Sequence, residues 1–565
     1  MTSTSYDVVA VAAVVLLTLG IGVYGLRLAR TTSDFLVASR AVSPMWNASA
    51  ISGEYLSAAS FLGIAGLVLA YGADMLWYPV GFVAGYLVLL LLVAAPLRRS
   101  GAYTVPDFAE ARLASPAVRR LASLFVVAIG WLYLVPQLQG AGLTLSATTG
   151  APVWVGAVLV AVVVTVNVAG GGMRSATFVQ AFQYWLKLTA LAVPALFLLL
   201  AWQGDGAPDL AAPAGPVFRE TTSVVLDDPV RVEVVEPVTV DVRGSGPRLL
   251  GAGEQLLPSG TLVFPAGAAV PHIDRIERAT GDAWARPLSG AGGLDHPLYA
   301  TYALVLATFL GTMGLPHVLV RFYTNPDGAA ARRTTLVVLG LLGVFYLVPT
   351  VYGALGRLYT PELLLTGRTD AVVLALPGAL IGGLGGDLLE ALLVAGAFAA
   401  FLSTSSGLLV STAGVLVQDV LRGTVRDFRR AAVAAAALPL ALALAASSLP
   451  IGQVVGLAFA MAASTFCPLL VLGIWWRGLT APGAAAGLVA GGGLSAAAVL
   501  STLAGLADRG WPAALLAQPA AWTVPTAFAV MVGVSLATRD RVPADVGRTM
   551  LQLHAPESLG LSLRR

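Results

Sequence analysis

The chain has 565 residues, of which 57% are hydrophobic and 11% are charged, and its net charge at pH 7 is +3. A mean hydropathy of +0.82 excludes a soluble globular protein, because apolar runs continue from one end of the chain to the other. A single cysteine and four histidines exclude an intrachain disulfide and a Cys/His zinc cluster. The sequence also lacks the phosphate-binding GxxxxGKS/T motif and the GxSxG nucleophile elbow. We therefore predict that the protein is not an enzyme, is not an ATP-driven pump and has no cofactor.

Thirteen segments reach the roughly 20 apolar residues that one membrane-spanning helix requires. Numbered as spans 1 to 13, they cover residues 6–28, 46–70, 75–97, 121–149, 151–171, 177–201, 299–323, 333–356, 384–416, 430–449, 452–474, 481–505 and 521–538. Span 1 lacks the basic start and the cleavage site of a removable signal peptide, so we interpret it as an anchor helix. This pattern predicts an all-α integral membrane protein with about 13 transmembrane helices.

The arginine residues indicate an orientation in the membrane. The connections after odd-numbered spans and the C-terminal tail hold most of them, including Arg98, Arg99, Arg332 and Arg333, whereas the alternate short connections hold few. Basic residues concentrate on the cytoplasmic side of a membrane protein. We therefore expect a multi-pass protein of the cell membrane with its N-terminus outside and its C-terminus in the cytoplasm.

One connection, residues 203–298 between spans 6 and 7, holds 13 acidic residues and seven arginines. Long translocated loops do not follow the charge rule, so an external position is allowed. Its segment Val230–Val242 alternates apolar and polar residues as a half-buried strand does, and Thr261–Phe264 is a second candidate strand. A small external β-rich subdomain and a linker without structure both fit this composition. In either case we expect the insertion to cap or surround the outer mouth of the protein.

Two spans contain residues that weaken a helix at membrane depth. Gly53–Gly66 in span 2 combines glycines and serines with the carboxylic acid Glu54, and Gly311–Arg321 in span 7 has Pro316 at its centre. Because lipid leaves no backbone group unsatisfied, an interrupted helix must line a protein-enclosed or water-filled cavity. The two segments lie five spans apart, as expected for a transporter built from inverted repeats. An ordinary proline kink is the alternative for span 7.

Several strings in these segments resemble the sodium:solute symporter family, and within it the bacterial cation/acetate symporters. They are SDFLVASR, GEYLSAASFLGIAGLV, GAYTVPDFAEARL, YLVPQLQGAG, GGMRSATFVQ, GLPHVLVRFYT and VGLAFAMAAS. The resemblance covers about residues 30–540 without the insertion, and it implies the LeuT-type fold of 5+5 inverted repeats.

The resemblance also implies a division of the chain into five parts. Residues 1–45 form an extra N-terminal helix and a cytoplasmic loop, 46–201 the first inverted repeat with spans 2–6, and 202–298 the external insertion. Residues 299–475 form the second inverted repeat with spans 7–11, and 476–565 form the peripheral spans 12 and 13 with a cytoplasmic tail.

Span 9 contains four consecutive hydroxyl-bearing residues, Ser403 to Ser406. Such hydroxyls usually bond back to a carbonyl one turn earlier and permit close helix packing, which is our interpretation of Ser405 and Ser406 and, further along, of Ser411 and Thr412. Ser403 and Thr404 match the paired hydroxyls at the sodium site of the family. The resemblance implies that five neutral oxygens bind the ion there. They are the carbonyls of Gly53, Leu56 and Ala400 and the hydroxyls of Ser403 and Thr404.

The substrate is expected beside the same interruptions, near the middle of the membrane. The N-termini of half-helices present free amides and the positive end of the helix dipole, which favours a small carboxylate. The candidate substrate-binding residues are Tyr55, Ser57 and Ser60 in span 2, Gln137 and Gln139 in span 4, and Gly314, Leu315, Pro316 and His317 in span 7.

Three ionisable residues within the spans leave more than one role open. A carboxylate at the bilayer centre costs roughly 2.5–3.5 kcal/mol, so Glu54 needs a partner or a proton. Glu54 and Lys187 are candidates for a coupling role, or Glu54 is structural, with Lys187 as one candidate partner. Lys187 can also extend to the cytoplasmic edge of its span. His317 either titrates near neutral pH or bonds a carbonyl that Pro316 has freed.

These features predict a secondary active symporter that couples inward movement of sodium, or of protons, to uptake of a small monocarboxylate such as acetate by alternating access. One alternative is a symporter of the same family for pyruvate, propionate, proline or pantothenate. A transporter-like solute sensor is a second alternative, and it is disfavoured because about 27 residues follow span 13. The expected partners are the solute and membrane lipid, without nucleic acid.

Overall fold

The computed structural model describes residues 3–28, 37–210, 215–273, 281–288, 296–421, 424–445, 451–506, 510–556 and 559. Residues 33–36 of the SDFLVASR string lie outside the described residues. Eleven of the described helices are long and apolar enough to cross a membrane. Two of them, Ala59–Arg99 with 41 residues and Val153–Gly204 with 52, each cover two predicted spans wholly or in part. All thirteen predicted spans therefore correspond to helices, and the all-α architecture is confirmed.

The helices, numbered in chain order, are α1 Ser3–Leu28, α2 Pro44–Tyr55, α3 Ile64–Tyr71, α4 Trp77–Val88, α5 Ala94–Arg99, α6 Val105–Leu113, α7 Pro116–Thr149, α8 Val153–Gly204, α9 Gly281–Ala285, α10 Pro297–Gly314, α11 Pro316–Phe322, α12 Gly328–Tyr359, α13 Glu362–Thr366, α14 Val372–Leu380, α15 Gly383–Val415, α16 Val425–Ala445, α17 Ile451–Trp475, α18 Ala481–Leu503, α19 Gly510–Ala517, α20 Ala520–Ala537 and α21 Val546–His554. The strands are β1 Thr222–Leu226, β2 Val230–Val234, β3 Val238–Val242, β4 Gly246–Leu250, β5 Gly253–Leu257, β6 Gly260–Phe264 and β7 His272–Ile273.

The 52-residue helix α8 turns sharply at one residue. Gly172 has φ 55° and ψ −146°, a conformation that glycine adopts at no steric cost and other residues avoid. Spans 5 and 6, which we predicted as separate segments, are therefore two helices that meet at Gly172 without an intervening loop.

The predicted interruption of span 2 is present, but it begins later than Gly53. Helix α2 continues through Gly53 and Glu54 and ends at Tyr55, and the next residue, Leu56, has φ −74° and ψ 83°. The chain then forms one π-helical turn, Ala59–Gly63, before α3 begins. Small residues and serines offer little packing that would favour continued α-helix there, and the break frees carbonyls of the preceding turn.

The predicted interruption of span 7 is also present. Helix α10 ends at Gly314, and Leu315 is extended, with φ −69° and ψ 115°. Helix α11 then starts with Pro316 at its first position, where proline needs no amide donor. Gly314 lies against α17, since a Cβ at this residue would come within 2.3 Å of the Ala462 carbonyl oxygen. Span 7 is thus two helices joined by an extended residue rather than one kinked helix.

Helix α15 is the centre of the bundle, because every residue from Leu393 to Val415 is buried. It packs against α8, α7, α1 and α2. Two glycines permit this packing: a Cβ at Gly407 would come within 2.0 Å of the Glu54 carboxyl group, and one at Gly396 within 2.5 Å of the Ala190 methyl. Both interrupted spans are therefore held near one buried helix that carries the run of hydroxyls.

The insertion between spans 6 and 7 contains two small antiparallel sheets, in the strand orders β1-β6-β3-β4 and β5-β2-β7. The expected alternation is found, with Val232, Val234, Val240 and Val242 buried. The segment Val230–Val242 is, however, two strands in different sheets, because residues 235–237 include Pro237 and leave the strand conformation. The β-rich alternative for this region is confirmed, and the linker alternative is wrong for the described residues.

Charged contacts connect the insertion to the ends of helices. Arg219 contacts the carboxylate of Asp205 at 2.5 Å, and the Tyr359 hydroxyl donates to the same carboxylate at 2.7 Å. These two hydrogen bonds, first from Tyr359 and then from Arg219, lower the pKa of Asp205. Arg368 forms a second ion pair with Asp227 of the insertion. Both pairs are exposed, so each contributes little to stability and mainly sets position.

Trp284 of α9 makes a buried contact between the insertion and the bundle. Its side chain is 6% exposed, and its indole N–H donates to the carbonyls of Val68 at 2.9 Å and Leu69 at 3.2 Å. The guanidinium of Arg357 lies 5.0 Å from the centre of its ring system. The indole thus satisfies carbonyls at the end of α3, the second half of span 2.

We predict that Trp284→Ala loosens the insertion, because truncating a buried tryptophan costs about 3–5 kcal/mol. Hydrogen–deuterium exchange of the purified protein should show faster exchange in the strands and at the end of α3. Leu249→Ala, which truncates a side chain that is 69% exposed, is the control. Equal exchange in the two variants would contradict this role of Trp284.

Candidate functional site

The break in span 2 leaves carbonyls that Lys187 satisfies. In a regular helix Gly53 O and Leu56 O would accept from Ser57 and Ser60, but these two amides donate to Tyr55 O and Ser57 O. The Lys187 ammonium donates to Gly53 O, to Leu56 O at 2.6 Å and to Ser403 Oγ at 2.9 Å. Lys187 is fully buried, so its predicted extension to the cytoplasmic edge is wrong. Its three N–H donors join α8 to α2 and α15.

The hydroxyls of span 9 complete this group of oxygens. Ser403 Oγ donates to Ala400 O at 3.1 Å, and Thr404 Oγ1 donates to Glu54 O at 2.7 Å. Ser406 donates to Leu402 O at 2.7 Å, the bond within one helix that we expected of it. All five residues predicted to bind a cation therefore lie together, with the Lys187 ammonium bonded to three of them.

The Glu54 side chain pairs with an arginine that the sequence analysis did not single out. Arg321 Nε donates to Glu54 Oε2 at 2.7 Å, and both side chains are 1% exposed. Lys187 bonds the carbonyls beside Glu54 and not its carboxylate, so Lys187 is not the hydrogen-bonding partner proposed for it. Arg321 follows Pro316 by five residues in span 7, and a charged residue within a span is the signal that could have identified it.

Arg321 also organises the polar residues of α8. Its other nitrogens donate to Thr177 Oγ1 at 2.8 Å and to Gln180 Oε1. Gln180 in turn donates from Nε2 to Ser403 O at 2.8 Å. A continuous hydrogen-bond network therefore joins span 7, span 6 and span 9 around the Glu54 carboxylate. It holds one acidic and two basic side chains, including Lys187, so the buried site has an excess of one basic group.

The predicted substrate residues are buried around the two interruptions. Tyr55 OH lies 2.6 Å from Thr312 Oγ1, which joins span 2 to span 7, and Ser60 Oγ lies 2.9 Å from Tyr346 OH. Gln137 Oε1 accepts from Ala58 N at 3.2 Å, directly after the break. These contacts bring spans 2, 4, 7 and 8 together.

Gln139 lies on another side of α7 from Gln137. Its Nε2 donates to Ala443 O of α16, at 3.5 Å. The second break consists of buried residues, Gly314, Leu315, Pro316 and His317. Gly314 lies against α17, and His317 meets Tyr133 of α7. The structure therefore brings the candidates of spans 2 and 7 together with Gln137, and it turns Gln139 towards α16.

Aromatic rings that the sequence analysis missed surround these residues. The ring of Tyr55 meets that of Tyr86 edge to face at 4.9 Å, and Phe82 lies 4.9 Å from Phe459. The ring of His317 meets Tyr133 edge to face at 5.4 Å. The rings named here come from five different spans, so no local sequence pattern indicates that they are neighbours. Such rings provide an apolar wall with polar edges.

Several buried polar atoms in this region have no hydrogen-bond partner among the described residues. They include Tyr86 OH, Gln137 Nε2 and both ring nitrogens of His317, so the expected bond from His317 to a carbonyl freed by Pro316 is not found in the described part of the chain. Buried polar atoms are normally paired, so such a group calls for a solute or water. Because a hydroxyl and an amide can donate and an imidazole can donate or accept, the group suits a small polar solute with acceptor atoms.

Two interrupted helices packed on a hydroxyl-bearing central helix define a secondary transporter. A sequence model of the Sodium:solute symporter family matches residues 35–208 and 269–491. The chain belongs to this family, and it is a multi-pass membrane protein.

Named relatives agree with the family. The chain is 30% identical over 535 residues to the uncharacterized symporter YwcA of Bacillus subtilis strain 168, with 91% of each chain covered. It is 29% identical over 612 residues to an uncharacterized symporter of Cupriavidus necator, with 90% of this chain and 88% of the relative covered. The family and these relatives support solute symport.

Solved structures share the fold. The protein is similar to a Na+-coupled sialic acid symporter in a substrate-bound outward-open state, with a TM-score of 0.64, 13% identity and coverage of 94% of this chain and 97% of that one. It is also similar to Mhp1, a nucleobase-cation-symport-1 family transporter, with a TM-score of 0.53, 12% identity and coverage of 93% and 98%. The expected LeuT-type fold is thus confirmed.

We predict that Glu54→Gln destabilises the protein by about 3–5 kcal/mol, because it leaves the guanidinium of Arg321 buried without its counter-charge. The double variant Glu54→Gln/Arg321→Met should recover part of this loss. Thermal unfolding of the purified protein in detergent measures both effects.

The control is Asp427→Asn, which removes one partner of the exposed pair with Arg430, and it should unfold close to the parent. If Glu54→Gln and Asp427→Asn unfold at the same temperature, the buried pair does not have this role.

Proposed function

We propose that the protein takes up a small monocarboxylate such as acetate, driven by inward movement of a cation, through alternating access. The observation that supports it most is the buried basic excess of Arg321 and Lys187 over Glu54, beside unpartnered donors at two helix interruptions. A carboxylate brings the negative charge that balances this excess. The solute binds between spans 2, 4 and 7, next to Gln137 and His317.

The aromatic wall supports a small solute. The wall is a cluster of four rings in mutual contact, those of Tyr55, Tyr86, Phe82 and Phe459. Because the rings face one another, the polar groups lie at the edge of the cluster. A short acyl chain can pack against these rings while its carboxylate meets Gln137 and the hydroxyl of Tyr86. Pyruvate and propionate fit the same description, whereas zwitterionic proline does not supply the net negative charge.

The coupling ion is sodium, as the family name indicates, or a proton. Entry of one positive charge down about 100 mV supplies about 2.3 kcal/mol. This energy sustains roughly a fiftyfold solute gradient. A monoanion that enters with one monovalent cation moves no net charge. Two cations per cycle are therefore needed for the membrane potential to drive uptake. Cation binding and solute binding must each strengthen the other by the same factor.

The arrangement of the transporter in the cell membrane follows from the arginine distribution. With the N-terminus outside, the insertion of seven strands lies on the external face, as do the residues around Arg368 that contact it. The β-rich insertion then covers the outer end of α3, which Trp284 contacts.

The proposal is tested by uptake of labelled acetate into proteoliposomes under imposed sodium, proton or electrical gradients. We expect concentrative uptake that one of the cation gradients drives and that unlabelled pyruvate or propionate inhibits. Protein-free liposomes are the control. Uptake of proline or pantothenate in place of acetate would reject the monocarboxylate and keep the symporter, and uptake of no solute under any gradient would reject the transport role.

We further predict that Gln137→Ala raises the half-saturating acetate concentration by about tenfold or more, since a hydrogen bond to a charged group is worth roughly 1.5–3 kcal/mol. Initial uptake rates over a range of acetate concentrations measure this.

The matched control is Gln183→Ala, which removes another fully buried glutamine whose amide donates to Thr18 Oγ1 at 3.1 Å on α1. Its half-saturating concentration should stay within about twofold of the parent. An equal change in both variants would show a general packing defect rather than a contact with the solute.

A further inference from the structure

We propose that Lys187 is a built-in cation: its ammonium takes the position at the break of span 2 where the family resemblance places a sodium ion. This inference rests on the proposed function, because it concerns the ion that drives the same transporter. The positive charge that joins the interrupted helix to the central helix then comes from the protein and not from a bound ion.

The contacts of the ammonium are those expected for the ion. Gly53 O, Leu56 O and Ser403 Oγ are three of the five oxygens predicted to bind sodium, and all three accept a hydrogen bond from Lys187 Nζ. An ammonium is a compact charge with three donors, so it matches three converging oxygens. The free carbonyls of the broken helix are thereby satisfied without an ion from solution.

The remaining two oxygens do not form a second place for sodium. Ala400 O accepts from the Ser403 hydroxyl at 3.1 Å, and Thr404 Oγ1 gives its proton to Glu54 O at 2.7 Å. A sodium ion beside these groups would lie next to the ammonium, in a buried site where the repulsion between two positive charges is weakly screened. The five residues therefore fit one cation, and Lys187 already supplies it.

Position 187 requires a lysine rather than an arginine. Lys187 is the only lysine among 33 basic residues of the chain, and it is 0% exposed. The other 32 basic residues are all arginine, which has a planar fork of donors that does not fit a compact oxygen cluster. The one lysine of the chain donates to the carbonyls that the break of span 2 leaves free.

Helices α2 and α8 pack closely enough for the Lys187 side chain to reach the break. A Cβ at Gly53 would lie 2.1 Å from Gln180 O, so only glycine lets α2 approach α8 this closely. Lys187 follows Gln180 by about two helical turns and lies on the same side of α8. With the ammonium in place, α2, α8 and α15 stay joined whatever the sodium concentration. A bound ion would join these helices only when sodium is present, whereas the ammonium joins them at any sodium concentration.

The test measures thermal unfolding of the purified full chain in detergent, with sodium chloride replaced stepwise by choline chloride at constant ionic strength. It needs no solute, so it is independent of which carboxylate is carried. The parent protein should unfold at the same temperature throughout. Lys187→Ala should unfold at a lower temperature in choline, and sodium should raise that temperature saturably, because the freed carbonyls then bind the ion.

Two further variants make the result specific. In Lys187→Ala/Ser403→Ala the sodium response should be lost, since a predicted ligand is missing. Gln183→Ala, one turn before Lys187 on α8, retains the ammonium and should remain insensitive to sodium. Acetate uptake into proteoliposomes should follow the same order, with Lys187→Ala depending on sodium more strongly than the parent does.

Clear outcomes would overturn the proposal. One is a saturable sodium response of the parent protein that Ser403→Ala removes, and another is a folded Lys187→Ala that does not respond to sodium. If neither Lys187→Ala nor Lys187→Met can be purified, the parent and Ser403→Ala decide: absence of a sodium response in the parent supports the built-in cation. If the unfolding results are as expected but acetate is not taken up, acetate is rejected as the solute and the role of Lys187 is retained.

Discussion

The unpaired carbonyls at the end of helix α2 are the constraint on which the rest of the site depends. Within a membrane no water is available to bond them, so other parts of the chain must do so. Lys187 from α8 donates to the carbonyls of Gly53 and Leu56, and Thr404 from α15 donates to that of Glu54. The interruption that creates a place for a solute therefore also fixes which helices surround it.

The buried ion pair of Glu54 and Arg321 connects the two interruptions. Each charge would be costly alone at this depth, and together with Thr177 and Gln180 they form a network whose members depend on one another. Because Glu54 lies in span 2 and Arg321 in span 7, a movement of one inverted repeat relative to the other has to carry or break this network. In the alternating access that we propose, the site is thus coupled to the motion that exposes it to either side.

Much of the fold could be predicted from the sequence, because spans, interruptions and hydroxyl runs are local patterns. Pro316 breaks its helix for reasons contained in its own side chain, and Ser403 and Thr404 lie in one motif. The contacts of Lys187 and Arg321 were not accessible in this way, since they depend on how distant helices are rotated against each other. The same holds for Gln139, which shares a helix with Gln137 but meets α16, and for Tyr86, which no motif connects to the site.

The β-rich insertion has a practical consequence for imaging this transporter. Most of a helical membrane protein is hidden in a detergent micelle and offers few features for aligning particle images. Here the chain adds two folded sheets to the helices, and Trp284 and the pairs at Asp205 and Asp227 fix them to the bundle. They provide a built-in landmark for electron cryomicroscopy and a folded epitope for an antibody fragment.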